Sequence, residues 1–260
     1  MNPPSLSLEG KVALITGGSR GIGAATVRMF VAAGARVFFG YEKAKAAADA
    51  LVRECGESNC AARACNLNGT AAAQELVAAC VARFGRLDIL VANHGVWPAD
   101  ERAVNEMPDE QWRHTIAVNL DAVFGLVKHS VAAMKKTASQ PSPAHVVLVS
   151  STAGQRGEGF HCDYAASKGA LISMTKGLAT ELIRDYIYVN CVAPGWVDSD
   201  MSRPSLSNPA TAAKVLSTIP LGRVATPEEI AAPILFLCTR YAGFVVGEVF
   251  NVNGGAVLTG

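Results

Sequence analysis

Short apolar runs recur along this chain at 12–16, 36–39, 61–65, 87–92, 146–150, 188–192 and 249–252, and the gaps between them are long enough for helices. Several runs are nearly continuous in apolar residues, which marks strands covered on both faces. The stretches at 23–33, 43–54, 70–84, 163–183 and 227–239 carry apolar residues at helical spacing instead. Strands separated by helices cannot pair through tight hairpins. Each must return by a crossover, and right-handed crossovers give a parallel sheet with helices on both faces. The expected class is therefore α/β: a doubly wound parallel sheet of about seven strands. No repeat or shift in composition divides residues 1–260, so one domain is expected over the whole length.

Composition narrows the function classes. Half the residues are apolar, and the 23 basic and 22 acidic side chains leave a net charge of +1. That balance gives no electrostatic reason to expect nucleic acid or an anionic membrane, and favours a small soluble substrate. No apolar run approaches the roughly 18 residues of a membrane span, and the first seven residues do not read as a signal peptide. The seven cysteines, at 55, 60, 65, 80, 162, 191 and 238, form no C-x-x-C pair and lack nearby histidines. They read as reduced thiols in a cytoplasmic protein, with no metal site.

Thr16-Gly17-Gly18-Ser19-Arg20-Gly21-Ile22-Gly23 follows the first predicted strand and opens the first helix. Glycines there allow a tight turn, and the N–H groups of a helix N-terminus suit a phosphate. The spacing is G-x-x-x-G-x-G, and no Gly-Lys-Ser/Thr closes it as in a P-loop. This points to a Rossmann-type nucleotide site. Asn93-His94-Gly95 ends another predicted strand at the same sheet edge. Tyr164 and Lys168, four residues apart on a predicted helix, share one face, and Ser151 follows a strand thirteen residues before the tyrosine. A free phenol titrates at about 10, so a neighbouring ammonium would be needed to make it exchange protons near neutrality.

Taken together, Thr16-Gly17-x-x-x-Gly21-x-Gly23, Asn93-x-Gly95, Asn119, Ser151, Tyr164-x-x-x-Lys168 and Pro194-Gly195 resemble the short-chain dehydrogenase/reductase family in order and spacing. The likeness runs from about Leu8 to Gly255 and is nearest to the 3-oxoacyl-carrier-protein-reductase-like branch. It implies an oxidoreductase that uses a nicotinamide dinucleotide to interconvert a carbonyl and an alcohol: a carbonyl reductase acting on a 3-oxoacyl or other apolar ketone first, with an alcohol, sugar or steroid dehydrogenase of the same family as the alternative. Tyr164 would be the general acid and base, Lys168 would hold the nicotinamide ribose, Ser151 would orient the carbonyl, and Asn119 would anchor a relay water. The cofactor would lie against Gly17, Ser19, Arg20, Gly21, Ile22, Gly23, Tyr41, Asn66, Leu67, Asn93, Gly95, Tyr164, Lys168, Pro194, Gly195, Val197 and Ser199. A homotetramer paired through helices at 118–135 and 163–183 and the segment 250–260 is implied as well. A catalytically silent nucleotide sensor on the same fold is the reading from another class, and the presence of Ser151, Tyr164 and Lys168 argues against it.

The chain also departs from that family's pattern. His94 replaces a small residue and reads as a packing variant. Asn66 stands in place of an aspartate, and its amide oxygen can still accept a hydrogen bond. Thr180 and the Pro/Ser-rich stretch 137–143 weaken a carrier-protein docking role, although Lys135 and Lys136 remain as docking charges. Trp97, Phe160 and Trp196 are expected to wall an apolar substrate pocket, closed by a loop at 202–209. An NAD-selective site places a carboxylate about 20 residues beyond the glycine turn. Here that position holds Tyr41, while Arg20 and Lys43 offer positive charge, so NADP(H) is expected over NAD(H). Glu42, one residue on, opposes that expectation.

Overall fold

The computed structural model describes residues 6–259. The N-terminal stretch read for a signal, as far as Ser5, and Gly260 of the C-terminal pairing segment lie outside the described residues.

Seven parallel strands form one sheet: β1 Val12–Thr16, β2 Arg36–Tyr41, β3 Cys60–Ala64, β4 Ile89–Ala92, β5 Ala144–Val149, β6 Ile187–Pro194 and β7 Val249–Val252. Their order is β3-β2-β1-β4-β5-β6-β7. The chain winds outward from β1 to β3, then crosses back and winds the other way from β4. The crevice at the C-terminal ends of β1 and β4 is thus the topological switch point, where open α/β sheets bind ligands.

Side-chain alternation along the central strands builds two cores. Ala13 and Ile15 of β1 with Ile89 and Val91 of β4 pack on one face, against Val27 and Phe30 of α1 (Gly21–Ala32) and Ile234 of α10 (Pro227–Leu237). Leu14 and Leu90 point to the other face, among Leu76 of α3 (Thr70–Phe84), Leu126 of α5 (Ala122–Met134) and Leu171 of α7 (Cys162–Leu182). Helix α2 (Lys45–Cys55) covers the β2–β3 edge with Ala48 and Leu51. Because each inner strand is buried on both sides, the continuous apolar runs are explained by covering layers rather than by helical periodicity.

Most expected elements fall within a few residues of their observed bounds, and three differences have physical causes. Strand β4 starts at Ile89 rather than 87, and just before it the Asp88 carboxylate takes over Val12 N–H at 2.9 Å and binds Arg86 at 2.6 and 2.9 Å, while the Asp88 backbone still bonds Val12 and His145. The expected loop at 202–209 is largely helical. Helix α8 (Arg203–Ser207) leads to α9 (Pro209–Ser217), which starts where the Asn208 side chain accepts from Ala210 and Thr211 N–H and proline occupies the first turn. The helix expected at 118–135 begins earlier, as α4 (Asp109–Ile116), and reaches α5 through a π-helical turn, Ala117–Asp121.

The buried His145 on β5 supplies a stability prediction. Burial, reinforced by the Lys11 charge, pushes its imidazole down to about 4. The folded state therefore favours the neutral ring, and the unfolded chain takes up the proton first, near 6.5. Stability should be full above that value and fall as the pH drops from about 6.5 through 4, by up to about 3 kcal/mol from this residue. Urea titrations across this range should show the fall, and His145→Gln should reduce it by that amount.

Candidate active site

The glycine turn is shaped by close contacts that admit no side chain. Gly17 and Gly21 have φ of +65° and +52°, a region favourable mainly to glycine. A Cβ on Gly23 would run into the carbonyl oxygen of Gly17. Arg20, the residue before α1, offers no side-chain cap, so the first N–H groups of the helix face the crevice without a side-chain acceptor. Across the switch point, Asn93 Nδ2 donates to Thr16 O at 3.0 Å and Asn93 N–H to Thr16 Oγ1 at 3.1 Å. These bonds fix the end of β4 against the end of β1.

The side chains expected to be catalytic meet on the other side of that crevice. Tyr164 stands in the first turn of α7, with Lys168 one turn on. Lys168 Nζ donates to Val149 O at the end of β5 (2.8 Å) and lies 5.9 Å from the Tyr164 ring centroid. Ser151 follows β5 and caps the short helix α6 (Thr152–Arg156), its Oγ accepting Ala153 N–H at 3.1 Å. Helix α6 rests on α7 at Gly154, where a Cβ would lie only 2.6 Å from the Lys168 carbonyl carbon. Ser150 Oγ completes the joint by donating to Lys168 O at 2.7 Å.

Asn119 sits in the π turn and is fully buried. Its Nδ2 donates to Val96 O (2.9 Å) and Ser167 Oγ (3.1 Å), and its Oδ1 accepts Val96 N–H (2.8 Å). Both amide hydrogens are thus engaged by protein, leaving Oδ1 with capacity for one further donor. Gly95 sits tightly, because a Cβ there would approach Asn119 Oδ1 and Lys168 Nζ to 3.2 and 3.3 Å. Burial pushes the Tyr164 phenol up to about 12, against the pull of a hydrogen bond from Ser151 and with a further upward push from Glu158. Burial also brings the Lys168 ammonium down to about 8. The site therefore holds a protonated phenol beside an ammonium that releases its proton more readily than a solvated lysine.

The other expected residues fall around this centre. Pro194 ends β6, and Gly195 packs so closely on Asn253 that a Cβ would lie 3.0 Å from its Cα. Val197 is buried, and Ser199 approaches Gly21. Asn66 is exposed and Leu67 buried, just beyond β3. Tyr41 ends β2 next to Gly40, whose carbonyl accepts Gly18 N–H, and its ring is packed in the core against Phe39. Arg20 is exposed and pairs with Asp200 at 3.3 Å, and Arg203 binds the same carboxylate at 2.7 Å. Glu42 is exposed with Lys43 3.7 Å away. Lys135, read as a docking charge, is engaged by Asp185 at 2.7 Å. The aromatic wall differs from expectation. Trp97 and Trp196 meet edge to face at 6.1 Å, but Phe160 is 58% exposed, and His161 packs at a tilt on Trp97 at 4.9 Å. Phe160 turns away because its backbone is left-handed, with φ +64°.

Sequence reasoning passed over Ser150, Ser167, His161 and the π turn. The serine doublet and the serine before Lys168 are visible in the sequence, but hydroxyls of this kind are too common to single out. Nothing in residue type announces the extra residue of a π turn.

The sequence model of a family described as Enoyl-(Acyl carrier protein) reductase matches residues 17–257. The chain belongs to the short-chain dehydrogenase/reductase family. It is 35% identical over 254 residues to the rhamnolipids biosynthesis 3-oxoacyl-[acyl-carrier-protein] reductase of Pseudomonas aeruginosa, covering 97% of this chain and 98% of that protein. It is 38% identical over 255 residues to the 3-oxoacyl-[acyl-carrier-protein] reductase of Thermotoga maritima, covering 97% and 100%. The Pseudomonas aeruginosa RhlG/NADP active-site complex superimposes with a TM-score of 0.90 at 34% identity, covering 98% of this chain and 100% of that one. Membership makes this short-chain dehydrogenase/reductase an NAD(P)-dependent oxidoreductase.

The joint between α6 and α7 yields a direct test. Gly154→Ala must push the two helices apart and separate Ser151 from Tyr164. A loss of about 1–3 kcal/mol in stability is expected, as for overpacking elsewhere. Turnover should drop more than the Michaelis constant for the cofactor changes, which chemical denaturation and steady-state kinetics on the same preparation will measure.

Proposed function

We propose that this protein is an NADP(H)-dependent carbonyl reductase that converts a ketone, a 3-oxoacyl compound or another apolar carbonyl, to a secondary alcohol. The observation that carries the proposal is the assembly of Tyr164, Ser151 and the Lys168 ammonium at the switch point of the sheet, opposite a glycine turn made for a diphosphate. Its nearness to 3-oxoacyl-carrier-protein reductases supports the acyl substrate. The aromatic wall of Trp97 and Trp196 suits an apolar group beside the carbonyl.

Gly17, Ser19, Gly21, Ile22 and Gly23 would hold the diphosphate, Asn66 and Leu67 the adenine, and Asn93, Gly95, Pro194, Gly195, Val197 and Ser199 the nicotinamide half. A nicotinamide bound there supplies or accepts the hydride. Ser151 Oγ and the Tyr164 hydroxyl both donate hydrogen bonds to the substrate oxygen. As negative charge develops on that oxygen, Tyr164 passes its proton to it. The Lys168 ammonium stabilises the phenolate that remains, and a water on Asn119 Oδ1 returns a proton from solvent. In the oxidative direction the same phenolate acts as base. Tyr164→Phe removes only the transferable proton, so kcat should fall by at least about 100-fold, the usual worth of general acid catalysis. Cofactor affinity, read by NADPH fluorescence, should change less than about twofold. Residual turnover above a few per cent would remove Tyr164 from the role.

The preference for NADP(H) is attributed to the absence of a carboxylate at the end of β2 and to Arg20. Tyr41 occupies the selecting position, and the Arg20 guanidinium is exposed at the turn, paired with Asp200. A 2′-phosphate, carrying more charge than one carboxylate, would draw it away. kcat/KM should favour NADPH over NADH by at least about tenfold, and Arg20→Ala should shrink that margin, consistent with the loss of one charge-assisted bond. Equal efficiency would assign the ribose to Glu42. The proposal includes a cytoplasmic homotetramer, paired through α5, α7 and the C-terminal segment. Phe124 on α5 is 51% exposed, and Ala165, Ala166, Gly169 and Ala170 give α7 a face that another helix can approach closely. Light scattering should give four times the 27.1 kDa chain mass.

A further inference from the structure

The His94 ring does more than fill the place of a smaller residue. Thr16 Oγ1 already accepts two backbone N–H groups, from Asn93 at 3.1 Å and from His94 at 3.2 Å. Its own proton must go elsewhere, and His94 Nδ1 lies 2.8 Å away, against 3.5 Å for Val91 O. On the far side of the ring, Nε2 stands 3.1 Å from Val118 O. A carbonyl can only accept, so Nε2 carries the hydrogen and Nδ1 receives the one from Thr16. Both ring nitrogens are engaged, and the tautomer is set by the partners.

The two partners belong to different parts of the site. Thr16 ends β1 and begins the glycine turn. Val118 lies inside the π turn, immediately before Asn119. A π turn has a looser hydrogen-bond ladder than the α-helix around it, and His94 pins one of its carbonyls. We infer that His94 is a positioning residue that ties the glycine turn to the π turn holding Asn119, so that the cofactor end and the proton-relay end of the site keep one geometry. Burial, with the Lys168 charge beside it, holds the imidazole down at about 4, so the neutral ring and both bonds persist throughout the neutral range.

The inference rests on the reading of these two turns as cofactor and relay sites, and the two arms of the bridge can be cut separately. An asparagine places its amide oxygen near the Nδ1 position, and a glutamine reaches the Nε2 position. His94→Asn should keep the Thr16 arm, leaving NADPH affinity within about twofold and lowering kcat by about fivefold, the worth of one neutral hydrogen bond. His94→Gln should keep the Val118 arm, holding kcat while the NADPH dissociation constant rises by a similar factor. His94→Ala should lose both. Amide hydrogen exchange of residues 117–121, read by mass spectrometry without cofactor, should quicken in the Asn and Ala variants and not in Gln. Because Asn and Gln both fill part of the ring's space, the comparison between them stands even if the Ala variant folds poorly. Identical exchange in Asn and Gln would overturn the bridge. The expected exchange pattern with no split between kcat and NADPH affinity would overturn its positioning role. A wild-type protein that failed to bind NADPH would sink the proposed function, while exchange at 117–121 would still test the bridge.

Discussion

A lysine side chain that keeps 4% of its exposure needs a fixed partner, because desolvation works against its charge. In this chain the partner is the carbonyl of Val149, the last residue of β5, and the rest of the site is arranged around that bond. To reach it, α7 must lie against the β5–α6 junction, which requires a bare Gly154 beneath the Lys168 backbone and a Ser150 hydroxyl on the Lys168 carbonyl. Once α7 is placed in this way, Tyr164 stands one turn earlier, close to Ser151. The same ammonium would crowd a Cβ on Gly95, beside which Asn119 clamps the backbone of Val96. Residues on four separate segments thus meet around one buried lysine.

The switch point brings the two halves together without a second domain. Thr16, Asn93 and His94 join the ends of β1 and β4, so the glycine turn and the segment leading to Asn119 share a boundary of three residues. On the solvent side, Arg20 is linked to Asp200 just before α8, and Arg203 binds the same carboxylate. Exposed pairs of this kind contribute little to stability. They do connect the turn that would hold a 2′-phosphate with the helices that overhang the crevice.

Much of this was legible in the sequence, for physical reasons. Buried parallel strands must be apolar on both faces, so β1, β5 and β6 announced themselves, and the glycine turn could be read because steric exclusion leaves so few residues able to form it. Tyr164, Lys168, Ser151 and Asn119 were identified through resemblance, and the structure brings them together at one edge of the sheet. Where the reading fell short, the cause was local geometry that residue type does not encode. Phe160 looked like a pocket wall, but a left-handed backbone turns it outward and His161 takes the place beside Trp97. The 202–209 stretch looked like a loop by its prolines and serines, although proline in a first turn and asparagine before it are also how helices start. Asp88 looked like part of a strand, yet its carboxylate replaces a ladder bond. His94 looked like a change of volume, and only the distances reveal a bridge.

The central claim is that the partly buried phenol of Tyr164 is a proton donor whose acidity is set by its surroundings. Carbon-13 labelling of the tyrosine ring carbon that bears the hydroxyl allows that one group to be titrated by NMR, with Tyr164→Phe to assign the signal. In the free protein the resonance should titrate near 12, well above a solvated phenol at about 10. Saturation with the oxidised nicotinamide dinucleotide should move the midpoint down by more than a unit, because the added positive charge favours phenolate. A midpoint that stays where it was on cofactor binding, or a free-protein value at or below that of solvated tyrosine, would contradict the account.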